Sequence, residues 1–150
     1  MTNGQPQGAA ATADRAAISD MVRVFFAAFV SGPDAALRLG ALRELFLPQA
    51  VIIRAGDGEP AVYDIDSFVR PRQELLSSGR LTDFSEWEVS GRSELFGDMA
   101  QHCCSYAKSG RQDGVPFTAR GIKIFQFIRT SSGWRISAAA WEDEETVHQT

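Results

Sequence analysis

The side chains most able to do chemistry sit in two strand-like segments. In Met99 to Lys108, His102 alternates with Ala100, Cys104 and Tyr106, so in an extended chain the imidazole, thiol and phenol line one face. The unperturbed imidazole pKa lies near neutrality and a phenol can donate to an oxygen that gains negative charge, so these groups could form a small acid/base set. The same pattern also fits a hydrogen-bonded core histidine beside a tyrosine at a strand edge. A Cys-His nucleophilic pair is disfavoured, because residues i and i+2 lie about 6.5–7 Å apart along a strand. In Phe117 to Arg129, Lys123 shares a face with Phe117, Ala119, Gly121, Phe125 and Phe127. An ammonium in so apolar a row has three outcomes. Desolvated, it becomes a nucleophilic or basic amine; paired with Glu142, it stays charged and completes a wall; near an opening, it snorkels to water.

Near the C-terminus, Trp141-Glu142-Asp143-Glu144-Glu145 follows Ala138-Ala139-Ala140. The alanines leave room for a ligand or a partner subunit, the indole supplies a flat wall, and the acidic run reads as a solvated strand end. His102 and His148 are the only histidines, and the chain has no HxxxH, CxxC or spaced Asp/Glu loop, so zinc and calcium signatures are absent. Gly56-Asp57-Gly58-Glu59 is a turn, matching neither GxxxxGK nor a strand-to-helix GxGxxG. No metal or nucleotide cofactor is expected.

Positioning these groups requires a particular order of elements. Ile18, Val22, Phe25, Phe26 and Phe29 recur at helical spacing, with Thr12 or Asp14 as N-cap and Gly32-Pro33 as the stop. Asp34 can cap a second helix carrying Leu37, Leu42, Leu45 and Phe46 and closed by Pro48. Ala50 to Arg54, the turn at Gly56 to Gly58 and Val62-Tyr63 read as a hairpin. A third helix, capped by Asp64 or Asp66, runs through Phe68, Leu75 and Leu76 to Gly79, with Pro71 inside it or resetting its first turn. Phe84 to Leu95, Met99 to Lys108, Phe117 to Arg129 and Trp134 to Trp141 then form a four-strand antiparallel meander. This order predicts an α+β domain with helices packed on one face of a curved sheet.

The 150 residues fit one domain, which at this size buries about 68–70% of its unfolded surface and needs no disulfide or metal for support. Residues 1–12 are expected to form a disordered tail without the basic-then-apolar pattern of a secretion signal, leaving 13–145 as the folded unit. Net charge of -4 and a pI near 5.1 have the wrong sign for tracking a phosphate backbone, which excludes nucleic acid as a main partner. Cys103 and Cys104 are adjacent, at a spacing below the disulfide range, and read as reduced thiols of a cytoplasmic protein. No apolar run reaches the 18 or so residues of a membrane span.

The order helix-helix-hairpin-helix-meander resembles the nuclear transport factor 2-like superfamily, in particular its SnoaL-like branch, which groups with polyketide cyclases and ketosteroid isomerase. Phe96-Gly-Asp-Met-Ala-Gln with Ser105-Tyr106, then Gly121-Ile-Lys-Ile-Phe-Gln-Phe-Ile-Arg-Thr and Gly133-Trp-Arg-Ile, is similar to the last three strands of that branch. The resemblance covers about residues 13 to 144 and implies a cone-shaped sheet closed by helices around an apolar pocket, with dimers formed through the outer sheet face. It places Arg54 at the isomerase's catalytic-base position, where a permanently charged guanidinium cannot take a proton. It places Phe26 at the oxyanion-hole tyrosine and Lys123 at the protonated aspartate, so ketosteroid isomerisation is not expected. The expected pocket holds Phe26, Phe29, Arg54, Cys104, Phe125, Trp141 and Glu142, with His102, Tyr106 and Lys123 as candidate catalytic groups. Two functions follow: a domain that binds, and could isomerise, dehydrate, cyclise or hydrolyse, a small carbonyl compound, or a non-catalytic dimeric module with a vestigial pocket.

Overall fold

Long strands dominate the second half of the chain, two of them with clear in-out alternation, and the computed structural model describes residues 8–144 together with the backbone of residues 147–148. The elements are α1 (Gly8–Ala27), α2 (Ala35–Ala41), a 3-10 turn (Leu42–Leu45), β1 (Phe46–Ala55), β2 (Ala61–Tyr63), α3 (Ile65–Ser77), β3 (Leu81–Phe96), β4 (Met99–Gln112), β5 (Val115–Thr130), β6 (Gly133–Asp143) and β7 (Val147–His148). The sheet runs β2-β1-β6-β5-β4-β3, with β7 pairing β5 beyond the end of β6. β1 lies parallel to β6 and every other neighbouring pair is antiparallel. The sheet is open, and the fold is the α+β arrangement expected from the element order, curled into the cone that the resemblance implies.

Curvature comes from breaks in register. β3 carries two, between Thr82 and Ser85 and between Glu88 and Ser90, and the β5/β6 ladder shifts between Gln126 and Phe127. Bulges bend a strand and increase its twist, which coils the sheet around the helices. On the inner face, α1 delivers Ile18, Val22, Phe25 and Phe26 to the core, where the Phe25 ring meets Phe125 edge-on at 4.9 Å. Asp14 of α1 is clamped to the sheet by both terminal nitrogens of Arg129, at 3.0 and 2.8 Å, and by the Trp134 indole at 3.2 Å.

Several boundaries differ from the sequence reading. α1 begins at Gly8, so residues 8–12 of the expected tail are helical, while residues 1–7 lie outside the described residues. Asp14 is consequently inside the helix and serves the sheet instead of the cap. α1 stops at Ala27, before Gly32-Pro33, because the next segment pairs with β3: Val30 bridges Ser85 and the Ser31 N–H donates to the Phe84 carbonyl at 3.1 Å. α2 is shorter than expected, burying Leu39 and leaving Leu37 exposed. Phe46 already belongs to β1, which passes through Pro48. Proline is tolerated there because it falls in the register shift between Phe46 and Val51, outside the stretch of β1 that pairs with β2. α3 starts as a capping box, with the Ser67 N–H donating to the Asp64 side chain and the Asp64 N–H donating to the Ser67 hydroxyl.

Candidate functional site

Lys123 occupies the inner face of β5, between Gly121 and Phe125, as the alternation requires. Its ammonium donates to Glu86 Oε2 on β3 at 2.9 Å, and both side chains are only 7% exposed. The expected partner was Glu142, and the register explains the difference. Trp141 faces Lys123 and Asp143 faces Gly121, so these two point inward, whereas Glu142 pairs with Ile122 and belongs to the outer face. The rest of the ammonium's surroundings are aromatic. Its Nζ lies 4.7 Å from the Tyr106 ring centroid, 4.8 Å from Phe25, 5.2 Å from Phe26, 5.7 Å from Phe29 and 5.8 Å from Trp141. The ring faces are electron-rich and support the charge where water is excluded.

This pair forms part of the wall of a cavity of about 440 Å³ between the sheet and α3. The wall is largely apolar, with Phe29, Phe68, Leu76, Phe84, Phe117 and Trp141, and it carries Arg72, Glu86, Tyr106, Lys108 and Lys123 as its main polar groups. That composition, an apolar hollow with a few convergent polar groups, is typical of a small-molecule site. Arg72 reaches in from α3 with its guanidinium 4.0 Å above the Phe68 ring and 5.4 Å from Trp141, and it donates to the Phe68 carbonyl at 2.9 Å. Among the described residues no carboxylate lies within ion-pair distance of it. Burial lowers its pKa, while Tyr63 and Glu86 act the other way.

Tyr106 donates its phenolic proton to Asp143 Oδ1, which also accepts from Lys108 Nζ at 3.2 Å. Burial, and then the bond to Asp143, push the phenol pKa upward, so the proton stays on the tyrosine at neutral pH. The position of the ring depends on Gly121, where a Cβ would lie 2.6 Å from Tyr106 Cζ and even nearer the hydroxyl.

Of the ten residues singled out in the sequence, Phe29, Tyr106, Lys123 and Trp141 line this cavity. Phe26 packs behind the wall against Lys123 and Tyr106, and Phe125 is fully buried in the core. Arg54 does not line the cavity and is bonded to Asp57 at 3.3 Å. Cys104 is buried beneath the wall, with its thiol pushed up to about 12 by burial and by the Glu88 charge, which makes it a poor nucleophile. His102 is likewise off the wall: Nε2 meets Glu88 Oε2 at 2.5 Å and Nδ1 meets the Ser93 hydroxyl at 2.7 Å. Five polar groups were missed, Arg72, Glu86, Glu88, Lys108 and Asp143. For Lys108 and Asp143 a signal existed, since they alternate with Tyr106 and Trp141; for Arg72, Glu86 and Glu88 it did not, because helix orientation and two bulges decide their directions.

No protein-family model matches the chain, and no curated protein matches it in sequence. Solved structures do match. A hexachlorocyclohexane dehydrochlorinase, LinA type 2, superposes with TM-score 0.76 at 14% identity, covering 93% of this chain and 90% of that one. An NTF2-like superfamily protein from Salmonella enterica superposes with TM-score 0.71 at 11% identity, covering 87% and 90%. The protein has the nuclear transport factor 2-like fold. A candidate scytalone dehydratase from Novosphingobium aromaticivorans shares this NTF2-like cone with TM-score 0.73 at 10% identity, covering 93% of this chain and 89% of the other. Identities this low carry the fold and not the activity. No helix among the described residues is long and apolar enough to cross a membrane.

Proposed function

We propose that the protein binds a small, partly apolar molecule bearing a carboxylate or carbonyl oxygen in the cone cavity, and that the wall around Glu86 does acid/base chemistry on it. The observation that carries this reading is Arg72, a guanidinium without a carboxylate partner among the described residues, held over an apolar hollow of about 440 Å³. Arg72, Lys108 and Lys123 set three positive charges against the negative charges of Glu86 and Asp143, an excess of one that favours an anionic or electron-rich oxygen.

With that oxygen on Arg72, Glu86 is the wall carboxylate able to take a proton from a neighbouring carbon. The C–H electron pair moves toward the carbonyl oxygen, and the bond is completed by return of the proton at another carbon or by loss of a leaving group. Lys123 serves as a wall cation and donor, Tyr106, whose proton goes to Asp143, serves as a positioned wall ring, and His102 lies off the wall and takes no part. Elimination fits the names of two structural neighbours, a dehydrochlorinase and a candidate dehydratase. The free Cys103 and Cys104 fit a reducing compartment such as the cytoplasm.

A thermal-shift screen of compact aromatic and alicyclic carboxylates and enones tests the binding. A ligand at a hundred times its Kd adds about 2.7 kcal/mol, or roughly 5–10 °C in Tm for a chain of this size. Arg72→Gln removes the shift, and Glu86→Gln preserves binding while abolishing turnover. A broad panel without a single shift, or a shift unchanged in Arg72→Gln, refutes the reading. The outer face, with Val51, Ile122 and Ile124 each about 40–46% exposed, supports a homodimer. Light scattering should then give twice the chain mass, falling to one in Ile124→Glu.

A further inference from the structure

Beneath β3 and β4, away from the cavity wall, the Glu88 carboxylate, His102 Nε2 and Cys104 Sγ lie within 4.8 Å of one another. We infer that this cluster is a binding site for a divalent transition metal of the zinc class, with these three side chains as ligands and a fourth position left to water. The donor set decides the metal. One imidazole nitrogen, one thiolate and one carboxylate oxygen suit Zn²⁺ or Co²⁺, whereas Ca²⁺ and Mg²⁺ require oxygen throughout.

Three further features of the fold favour such a site. Gly91 faces the cluster, and a Cβ there would lie 2.6 Å from His102 Nε2 and collide with the Glu88 carboxylate, so the absence of a side chain keeps the space open. The Ser93 hydroxyl, 2.7 Å from His102 Nδ1, can accept the Nδ1 proton and leave Nε2 as the metal-binding nitrogen. Glu88 pairs with Tyr106 and so shares the face of His102 and Cys104, and the break in register that follows brings Gly91, opposite Cys104, to the same face. Access is from the Glu88 side. That side chain is 33% exposed, whereas His102 and Cys104 are buried.

Binding is an exchange of cations without redox change. Cys104 gives up its thiol proton, the proton held between Nε2 and Glu88 leaves, and the freed lone pairs bind the metal. Bonds of about 2.0–2.3 Å place tetrahedral donors roughly 3.3–3.7 Å apart. The imidazole and carboxylate, now 2.5 Å apart, therefore open by about 1 Å, which the partly exposed Glu88 allows.

The test is a Co²⁺ titration of the chelator-stripped full chain carrying Cys103→Ser, so that Cys104 is its one thiol. The expected result is one Co²⁺ per chain, a sulfur-to-cobalt charge-transfer band in the near ultraviolet, and visible bands of four-coordinate cobalt that Zn²⁺ abolishes. Adding Cys104→Ser removes the charge-transfer band, and His102→Gln or Gly91→Ala weakens binding at least tenfold. Should Cys104→Ser disturb folding, Zn²⁺ protection of Cys104 from a thiol reagent gives the same information on the Cys103→Ser chain. Absence of saturable binding by a natively folded chain, a band that survives Cys104→Ser, or no protection of the thiol overturns the assignment. The ligand reading of the cavity uses none of these three residues and would stand.

Discussion

Removing the Lys123 ammonium with Lys123→Met leaves Glu86, 7% exposed, as a buried carboxylate without its ion-pair partner. Breaking such a pair from one side costs about 3–5 kcal/mol, because the remaining charge keeps its desolvation penalty and loses its compensation. The reverse change, Glu86→Gln, leaves an ammonium that still has five ring centroids within 5.8 Å. Cation–π attraction in a desolvated site supplies up to about 2 kcal/mol, so this variant should lose only about 1–3 kcal/mol. Lys123→Met with Glu86→Leu removes both charges and should return to within about 1 kcal/mol of the parent, since buried pairs are replaceable by packed apolar groups. Urea unfolding at pH 7, followed by tryptophan fluorescence and far-ultraviolet circular dichroism, measures all three, and Glu86→Leu alone closes the cycle. In Tm, the Lys123→Met loss corresponds to roughly 6–20 °C. If Lys123→Met stays within about 0.5 kcal/mol of the parent, or Glu86→Gln is the more damaging change, the caged-pair account is wrong.

Two other consequences concern the clamp on α1 and the packing around Tyr106. Hydrogen bonds from Arg129 hold the Asp14 carboxyl below its usual pKa, so its contribution to stability is complete above the ordinary carboxylate value, about 3.9, and disappears as pH falls through the lowered folded value. Asp14→Asn should therefore unfold at lower urea than the parent at pH 7, with the gap closing below about pH 4; a gap independent of pH refutes the clamp. Gly121→Ala drives a methyl into the Tyr106 phenol and the Glu142 carbonyl, one of them backbone, so it should cost about 1–3 kcal/mol. In a Tyr106→Ala background the cost of adding Gly121→Ala should shrink, and a Gly121→Ala protein as stable as the parent would refute the contact.

The sequence made the faces legible and left the partners obscure, for a geometric reason. Period-two alternation is local, so it correctly put Lys123, Phe125, Cys104 and Tyr106 on the inside of β5 and β4. Carried consistently through β6, it would also have separated Trp141 from Glu142, since neighbours on a strand face opposite sides; Asp143 was the inward carboxylate and it anchors Tyr106. The partner of Lys123 could not be found this way. Glu86 lies on β3, two strands from β5, and its register depends on breaks at Thr82/Ser85 and Glu88/Ser90 that no hydrophobic pattern announces.

The same geometry explains why the expected acid/base set divides into two places. His102 and Tyr106 share a face of β4, but four residues at about 3.3 Å each set them some 13 Å apart along the strand. Along the curled sheet that distance leads from Tyr106, which meets Asp143 and Lys123, past the break in β3 to His102, which pairs with Ser93 and meets Glu88. One strand thus serves two sites with different chemistry. Substitutions at Arg72 or Glu86 should alter small-molecule binding or turnover without changing cobalt affinity, and substitutions at His102 or Gly91 should do the reverse. Ligand shifts and cobalt titrations on the same four variants would reveal any cross-effect. A matching loss of both properties in His102→Gln, with the fold intact, would mean that the two clusters work as one.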